Sequence, residues 1–172
     1  NIYFSMVDAK FYMEKYVEIT DTKGIVESMA FLFDGKTITN SGTGQTQGTN
    51  AYKQKATVNG TSVDVLKLGT SSKSGIFETA AVGVSGKTKL SFYAVGWSGK
   101  TGTKLTVTVD GKATELTVAG NSGATGNPPY ASIAVADSDY YTIDVTGISD
   151  TSTVQFASGT NYRVIIAGVQ LY

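Results

Sequence analysis

The chain has 172 residues, with 14 basic and 14 acidic side chains, so its formal charge is zero. That length suits one domain with a sizeable core, and the balanced charge argues against a nucleic-acid partner, because no basic excess is present to neutralise a phosphate backbone. Histidine and cysteine are both absent, which removes Ser-His-Asp and Cys-His catalysis, zinc or haem sites built on those ligands, and all disulfides.

The opening Asn1–Met6 resembles a protease-cleavable cloning linker, with Ile for Leu and no Gln, and is set aside from function. Residues 1–33 read as an N-terminal segment, either a linker or a first strand, ahead of a domain over 34–172. Within the segment, Tyr12, Tyr16 and Ile19 fit helical spacing, whereas 16–20 also alternates as a strand does, and the strand is the reading taken.

From Asp34-Gly35 onward the pattern is plainer. Residues 40–50 form a polar loop. Asn59-Gly60 separates β-rich runs at 52–58 and 61–68, and Asp110-Gly111 separates 104–109 from 113–118; both dipeptides mark two-residue hairpins. In 104–109, Leu105, Val107 and Val109 alternate with polar residues, which predicts one buried and one wet face. Further strands are predicted at 76–82, 88–97, 131–135, 140–145, 153–156 and 162–171, and 120–129 is a turn-rich loop holding both prolines. Short strands at this spacing, with no long helix, predict an all-β antiparallel sandwich of jelly-roll type with eight to ten strands. No apolar run is long enough to span a bilayer.

Two stretches, 81–88 and 94–101, match the phosphate-loop pattern ending Gly-Lys-Thr. A working phosphate loop opens a helix. Here Lys87 and Lys100 both lead into β-rich sequence, so both stretches read as turns and no nucleotide is expected.

Trp97 is the single tryptophan and closes the 88–97 strand beside the Gly/Ser/Thr loop 98–103. An indole there either stacks on a sugar ring or plugs the core. If Leu90, Phe92 and Ala94 face inward, Tyr93 and Trp97 share the opposite face. Tyr140 and Tyr141 point to opposite faces of one strand, while Tyr52 and Tyr130 stand at loop ends, positions that suit recognition or an ordinary strand surface. Arg163, the only arginine, precedes an apolar strand expected to be central; it is either a buried ion-pair partner, with Asp144 or Asp64 as the carboxylate, or a binding-site fork for a carboxylate or vicinal hydroxyls, and the pairing is the reading taken. Asp137 and Asp139 offer oxygen ligands to a structural calcium, although nothing matches an EF-hand loop.

The phrases Thr88-Lys-Leu-Ser-Phe-Tyr-Ala-Val-Gly-Trp97, Lys104-Leu-Thr-Val-Thr-Val-Asp-Gly111, Gly126-Asn-Pro-Pro-Tyr130, Asp139-Tyr-Tyr-Thr-Ile143 and Tyr162-Arg-Val-Ile-Ile-Ala-Gly168 together resemble jelly-roll, galactose-binding-like β-sandwich modules of secreted and surface proteins of gut Bacteroidetes. The resemblance spans 62–172 and lies in strand order and short phrases, without an active-site signature. It implies a non-catalytic carbohydrate-binding or glycan-adhesion module of an exported bacterial protein, outside the cell or on its surface, often with a structural calcium. On this reading Trp97 and Tyr93 stack on a sugar, and Lys100 and Tyr130 add hydrogen bonds. The alternative is a structural module of a cell-surface assembly whose partner is a surface protein. A third reading, a small hydrolase using paired carboxylates, has no supporting signature.

Overall fold

A computed structural model describes residues 48–172. The expected strand at 16–20, the Asp34-Gly35 turn and the first part of the polar loop lie outside the described residues.

Eleven strands are present among the described residues: β1 (Gly48–Thr49), β2 (Ala51–Val58), β3 (Thr61–Leu68), β4 (Ile76–Glu78), β5 (Lys89–Gly96), β6 (Thr103–Val109), β7 (Lys112–Val118), β8 (Tyr130–Ile133), β9 (Tyr140–Asp144), β10 (Val154–Ser158) and β11 (Val164–Leu171). The described residues are all-β, apart from a 3-10 turn at Asp137–Asp139. Every run predicted from the sequence within 48–172 carries a strand. The extra one is β1, which lies in the expected polar loop and pairs with β4.

The strands form two sheets, β1-β4-β10-β6-β7 and β8-β2-β3-β11-β5-β9. All pairings are antiparallel except β2 with β8, which is parallel. The set β3-β11-β5-β9 packs on β4-β10-β6-β7, with the chain passing repeatedly from one sheet to the other, which is the jelly-roll order. Both predicted hairpins have left-handed central residues, Asn59 (φ 47°) with Gly60 (φ 84°) and Asp110 (φ 47°) with Gly111 (φ 81°). That geometry matches the twist of the flanking strands and fixes register.

The core between the sheets joins Leu66, Leu90, Phe92, Ala94, Val164 and Ile166 of the six-stranded sheet to Phe77, Leu105, Val107, Val154 and Phe156 of the other. Phe92 meets Phe156 edge-on across the interface, with centroids 5.4 Å apart at 88°, an arrangement that adds quadrupole attraction to apolar burial. On β6 the buried and half-buried residues alternate as predicted.

The six-stranded sheet is also covered on its outer face. Ala56, Val58, Val63, Val65, Val95, Ile165 and Ala167 pack there against Ala124, Tyr130 and Ile133 from the segment 119–136. Double burial explains why β5 and β11 read as nearly continuous apolar runs. The covering segment is fastened by backbone and amide hydrogen bonds. Ser98 N–H donates to Ala124 O at 3.0 Å, Asn121 N–H to Gly96 O at 3.0 Å and the Asn121 amide to Ala134 O at 2.7 Å. Asn59 exchanges two bonds with Val135 through its side-chain amide, at 3.2 and 2.9 Å. Gly123 fits because it has no Cβ; an added one would lie 1.6 Å from Ser132 O. The Pro128–Pro129 bond is cis.

Two substitutions separate the two apolar layers. Phe156→Ala should lower the unfolding free energy in urea by about 3–5 kcal/mol, since it opens a cavity between the sheets. Gly123→Ala should displace the covering segment, red-shifting the emission of the single tryptophan while far-UV dichroism keeps its β-sheet form.

Candidate functional site

Register brings five side chains to one end of the outer face. The Asn59-Gly60 hairpin sets Tyr52 on β2 opposite Lys67 on β3. Lys67 lies opposite Ile165 on β11, and Ile165 lies opposite Val95 on β5. Continuing two residues along each strand, on the same face, reaches Arg163 and Trp97, whose backbones are joined by a Trp97 N–H to Arg163 O bond of 3.2 Å. Tyr130, at the start of β8, closes the group.

The indole of Trp97 is buried at 8% exposure, with Tyr52 at 7% and Tyr130 at 3%. Tyr130 stands edge-on to Trp97, centroids 5.8 Å apart at 85°. The Arg163 guanidinium carbon lies 4.0 Å from the Trp97 ring centre, and the Lys67 ammonium lies 4.9 Å from the Tyr52 ring and 6.0 Å from the indole. Both head groups are thus within cation–π range of aromatic rings.

The expected pairing of Arg163 with Asp144 or Asp64 is not what forms. Asp144 binds Lys89 at 2.7 Å, and Asp64 binds Lys55 at 2.7 Å with Lys53 at 3.5 Å. Both aspartates lie away from the aromatic end of the sheet, and stacking on Trp97 replaces the ion pair. Neither Lys67 nor Arg163 has a carboxylate partner among the described residues. Burial, reinforced by repulsion from Arg163, lowers the Lys67 ammonium pKa from 10.5 to about 8. Burial likewise lowers that of Arg163, with Tyr130 opposing the shift, and raises that of the Tyr130 phenol.

The backbone entering this site is strained. Asn161 (φ 65°) and Tyr162 (φ 60°) are consecutive left-handed residues just before Arg163, and a bulky aromatic rarely adopts that conformation. The Asn161 amide donates to Thr101 O, and Arg163 N–H donates to Asn161 O at 2.7 Å. Gly69 makes room for the turn, since a Cβ there would lie 2.1 Å from Tyr162 O.

Of the four residues expected to bind a sugar, Trp97 and Tyr130 are in ring contact, and Lys100 is tied to Trp97 by a Lys100 N–H to Trp97 O bond of 3.1 Å. Tyr93 shares the outer face but packs on Tyr140, with centroids 4.9 Å apart. Tyr141 stacks on Phe92 at 5.9 Å on the opposite face, as the alternation predicts. Lys100 lines an open trough of about 720 Å³ with Ser98, Thr101, Thr117, Val118 and Ser122. The loops of this trough are turns: Gly99 (φ 72°) and Gly102 (φ 66°) are left-handed, and no helix follows Lys100. Residues 81–88 likewise lead into β5 without a helix.

Asp139 caps its own 3-10 turn by accepting the Ala136 N–H at 2.9 Å. Among the described residues no three acidic side chains converge.

The sequence reading missed Lys67 and the contribution of Tyr52. The signal was available in the hairpin, because a two-residue turn at 59–60 dictates the 52–67 pairing.

No protein-family model matches the chain, and no curated protein matches it. Among solved structures, the chain matches the insecticidal crystal protein Cry2Aa at 12% identity and TM-score 0.34, covering 69% of this chain and 18% of that one. A Paenibacillus cycloisomaltooligosaccharide glucanotransferase complexed with cycloisomaltoheptaose matches at 11% identity and TM-score 0.38, over 81% of this chain and 19% of that one. TmCBM61 in complex with β-1,4-galactotriose matches at 11% identity and TM-score 0.31, over 88% and 83% of the respective chains. The chain therefore spans under a fifth of the length of the first two.

The shifted lysine gives a pH signature. The folded protein releases the Lys67 proton near pH 8, whereas the unfolded chain holds it until 10.5. Between those values the unfolded state binds more protons, so the penalty that Lys67 places on the fold is complete below pH 8 and fades as pH rises to 10.5. Lys67→Met should therefore be the more stable protein at pH 7, by about 1 kcal/mol after solvent screening and the lost cation–π contact are subtracted. That advantage should shrink steadily in urea titrations taken towards pH 10.5.

Proposed function

We propose that the chain is a non-catalytic carbohydrate-binding module of an exported bacterial protein. The observation that carries this reading is the open trough lined by Lys100 with Ser98, Thr101, Thr117 and Ser122, on the loop that a backbone turn bond from Lys100 N–H to Trp97 O ties to the Trp97–Tyr130 ring pair. A sugar ring presents hydroxyls around apolar C–H faces. The trough answers with the hydroxyls of Ser98, Thr101, Thr117 and Ser122, the Lys100 ammonium and the apolar wall of Val118.

The buried indole changes how Trp97 serves such a site. With Arg163 over its face and Tyr130 at its edge, it acts as a rigid support for the loop 98–102 and for the guanidinium, not as an open stacking platform. Sugar contacts then come from polar groups on the loops. Tyr93, packed on Tyr140, has no direct place in this arrangement.

Burial of Trp97 also favours a second reading, a structural module that binds a surface protein. The half-exposed strand β7, which among the described residues pairs only with β6, offers the geometry for strand addition. The two readings separate in one experiment. A glycan array followed by calorimetry should give a sugar ligand whose affinity falls at least tenfold in Lys100→Ala. An array without a hit, together with self-association in solution, would favour the protein-binding reading.

A further inference from the structure

We propose that Lys67 and Arg163 form an anion subsite that selects an acidic sugar, taking the carboxylate or sulfate oxygens of a polysaccharide beside the trough. The proposal rests on the carbohydrate-binding reading and names the class of sugar.

Two cations share a partly buried site with no counter-charge among the described residues. Taking a cation out of water is unfavourable, and placing a second beside it adds repulsion. Contact with an aromatic face returns only about 0.5–2 kcal/mol per cation. The arrangement is therefore poised for a negative ligand, which would relieve both terms at once. Four other lysines of the described residues do find carboxylates: Lys53 and Lys55 share Asp64, Lys89 holds Asp144, and Lys104 meets Glu115 at 3.1 Å.

Geometry also leaves the donors available. The Arg163 guanidinium carbon sits 4.0 Å over the Trp97 ring, and its N–H groups, which lie in the guanidinium plane, suit the two oxygens of a carboxylate or sulfate. Among the described residues no side-chain hydrogen bond from Arg163 or Lys67 competes for them. Both residues are half-buried, so solvent reaches them. The strained Asn161-Tyr162 turn, clamped to Thr101 and seated against Gly69, holds the backbone from which Arg163 reaches back over the indole. Strain of this kind persists where surrounding structure over-determines it, and it clusters at ligand sites.

The test is a titration followed by Trp97 emission and by calorimetry, using polygalacturonate for the carboxylate, dextran sulfate for the sulfate, and neutral galactan and dextran. Poly-glutamate serves as a non-sugar polyanion, and Lys112→Met on β7 as a charge-matched control. The expected result is binding of one acidic polysaccharide that shifts the emission, weakens at least tenfold in Lys67→Met and in Arg163→Met, and survives in the control. Affinity should also fall as pH rises through about 8, where Lys67 loses its proton; Arg163 stays charged there, while Tyr52 and Tyr130 are the phenols facing the pair. Arg163→Lys should keep the charge but lose the fork, giving an intermediate loss if the carboxylate or sulfate is held by two bonds. Thermal melts establish that each variant is folded. Equal binding of neutral and acidic glycans, indifferent to Lys67→Met, would overturn the anion subsite and leave the carbohydrate reading standing. Binding of poly-glutamate as tight as that of either acidic polysaccharide would overturn the choice of a sugar. Binding of no glycan would overturn both.

Discussion

The central strands β5 and β11 of the six-stranded sheet are buried on both faces, and the rest of the molecule is arranged around that constraint. One face meets the second sheet through contacts such as Phe92 on Phe156. The other would expose a broad apolar surface were it not for the segment 119–136, which lays Ala124, Tyr130 and Ile133 over β2, β3, β5 and β11. The segment is held there by asparagine amides and by the close approach at Gly123, with little regular structure of its own beyond β8. The aromatic and cationic cluster forms where this cover ends. It is the boundary between dry sheet and solvent, which is why its side chains combine apolar bodies with polar tips.

Much of the fold was legible because two sequence signals agreed. Asn59-Gly60 and Asp110-Gly111 each stand between alternating runs, so turn chemistry and strand pattern point to the same hairpins. Alternation in 104–109 was equally direct. Double burial weakened the same signal elsewhere: on β5, Leu90, Phe92 and Ala94 face the second sheet, while Tyr93, Val95 and Trp97 face the cover. A continuous apolar run says that both faces are buried but not what buries them. The covering segment itself carries few apolar residues, and its hold depends on hydrogen bonds over long sequence separations, such as Asn59 to Val135, which no local pattern encodes.

The candidate site was legible to the same extent. Trp97, Lys100 and Tyr130 were singled out from composition and position; the fold puts the rings of Trp97 and Tyr130 in contact and joins Lys100 to Trp97 through a backbone turn bond. What could not be read was the partner of Arg163. Charge alone suggested a carboxylate. The fold instead places Asp144 beside Lys89 and Asp64 beside Lys55, and aims the guanidinium at an indole. That choice depends on the left-handed Asn161-Tyr162 turn; Asn161 is a residue type that adopts this conformation readily, but Tyr162 is not, and its left-handed backbone has no signal in the sequence.

The bonding of Asn59 has a consequence for the chemical lifetime of the protein. An asparagine followed by glycine is the dipeptide most open to succinimide formation, in which the glycine nitrogen attacks the side-chain carbonyl and the amide leaves as ammonia. Here the Asn59 amide donates to Val135 O while its carbonyl oxygen accepts the Val135 N–H. The side chain must break both bonds before it can turn towards Gly60. Ageing at this position is thus gated by the same opening that uncovers the sheet. A single conversion to aspartate or isoaspartate would replace the donor to Val135 with a carboxylate oxygen, loosening the cover and exposing the apolar face to other molecules.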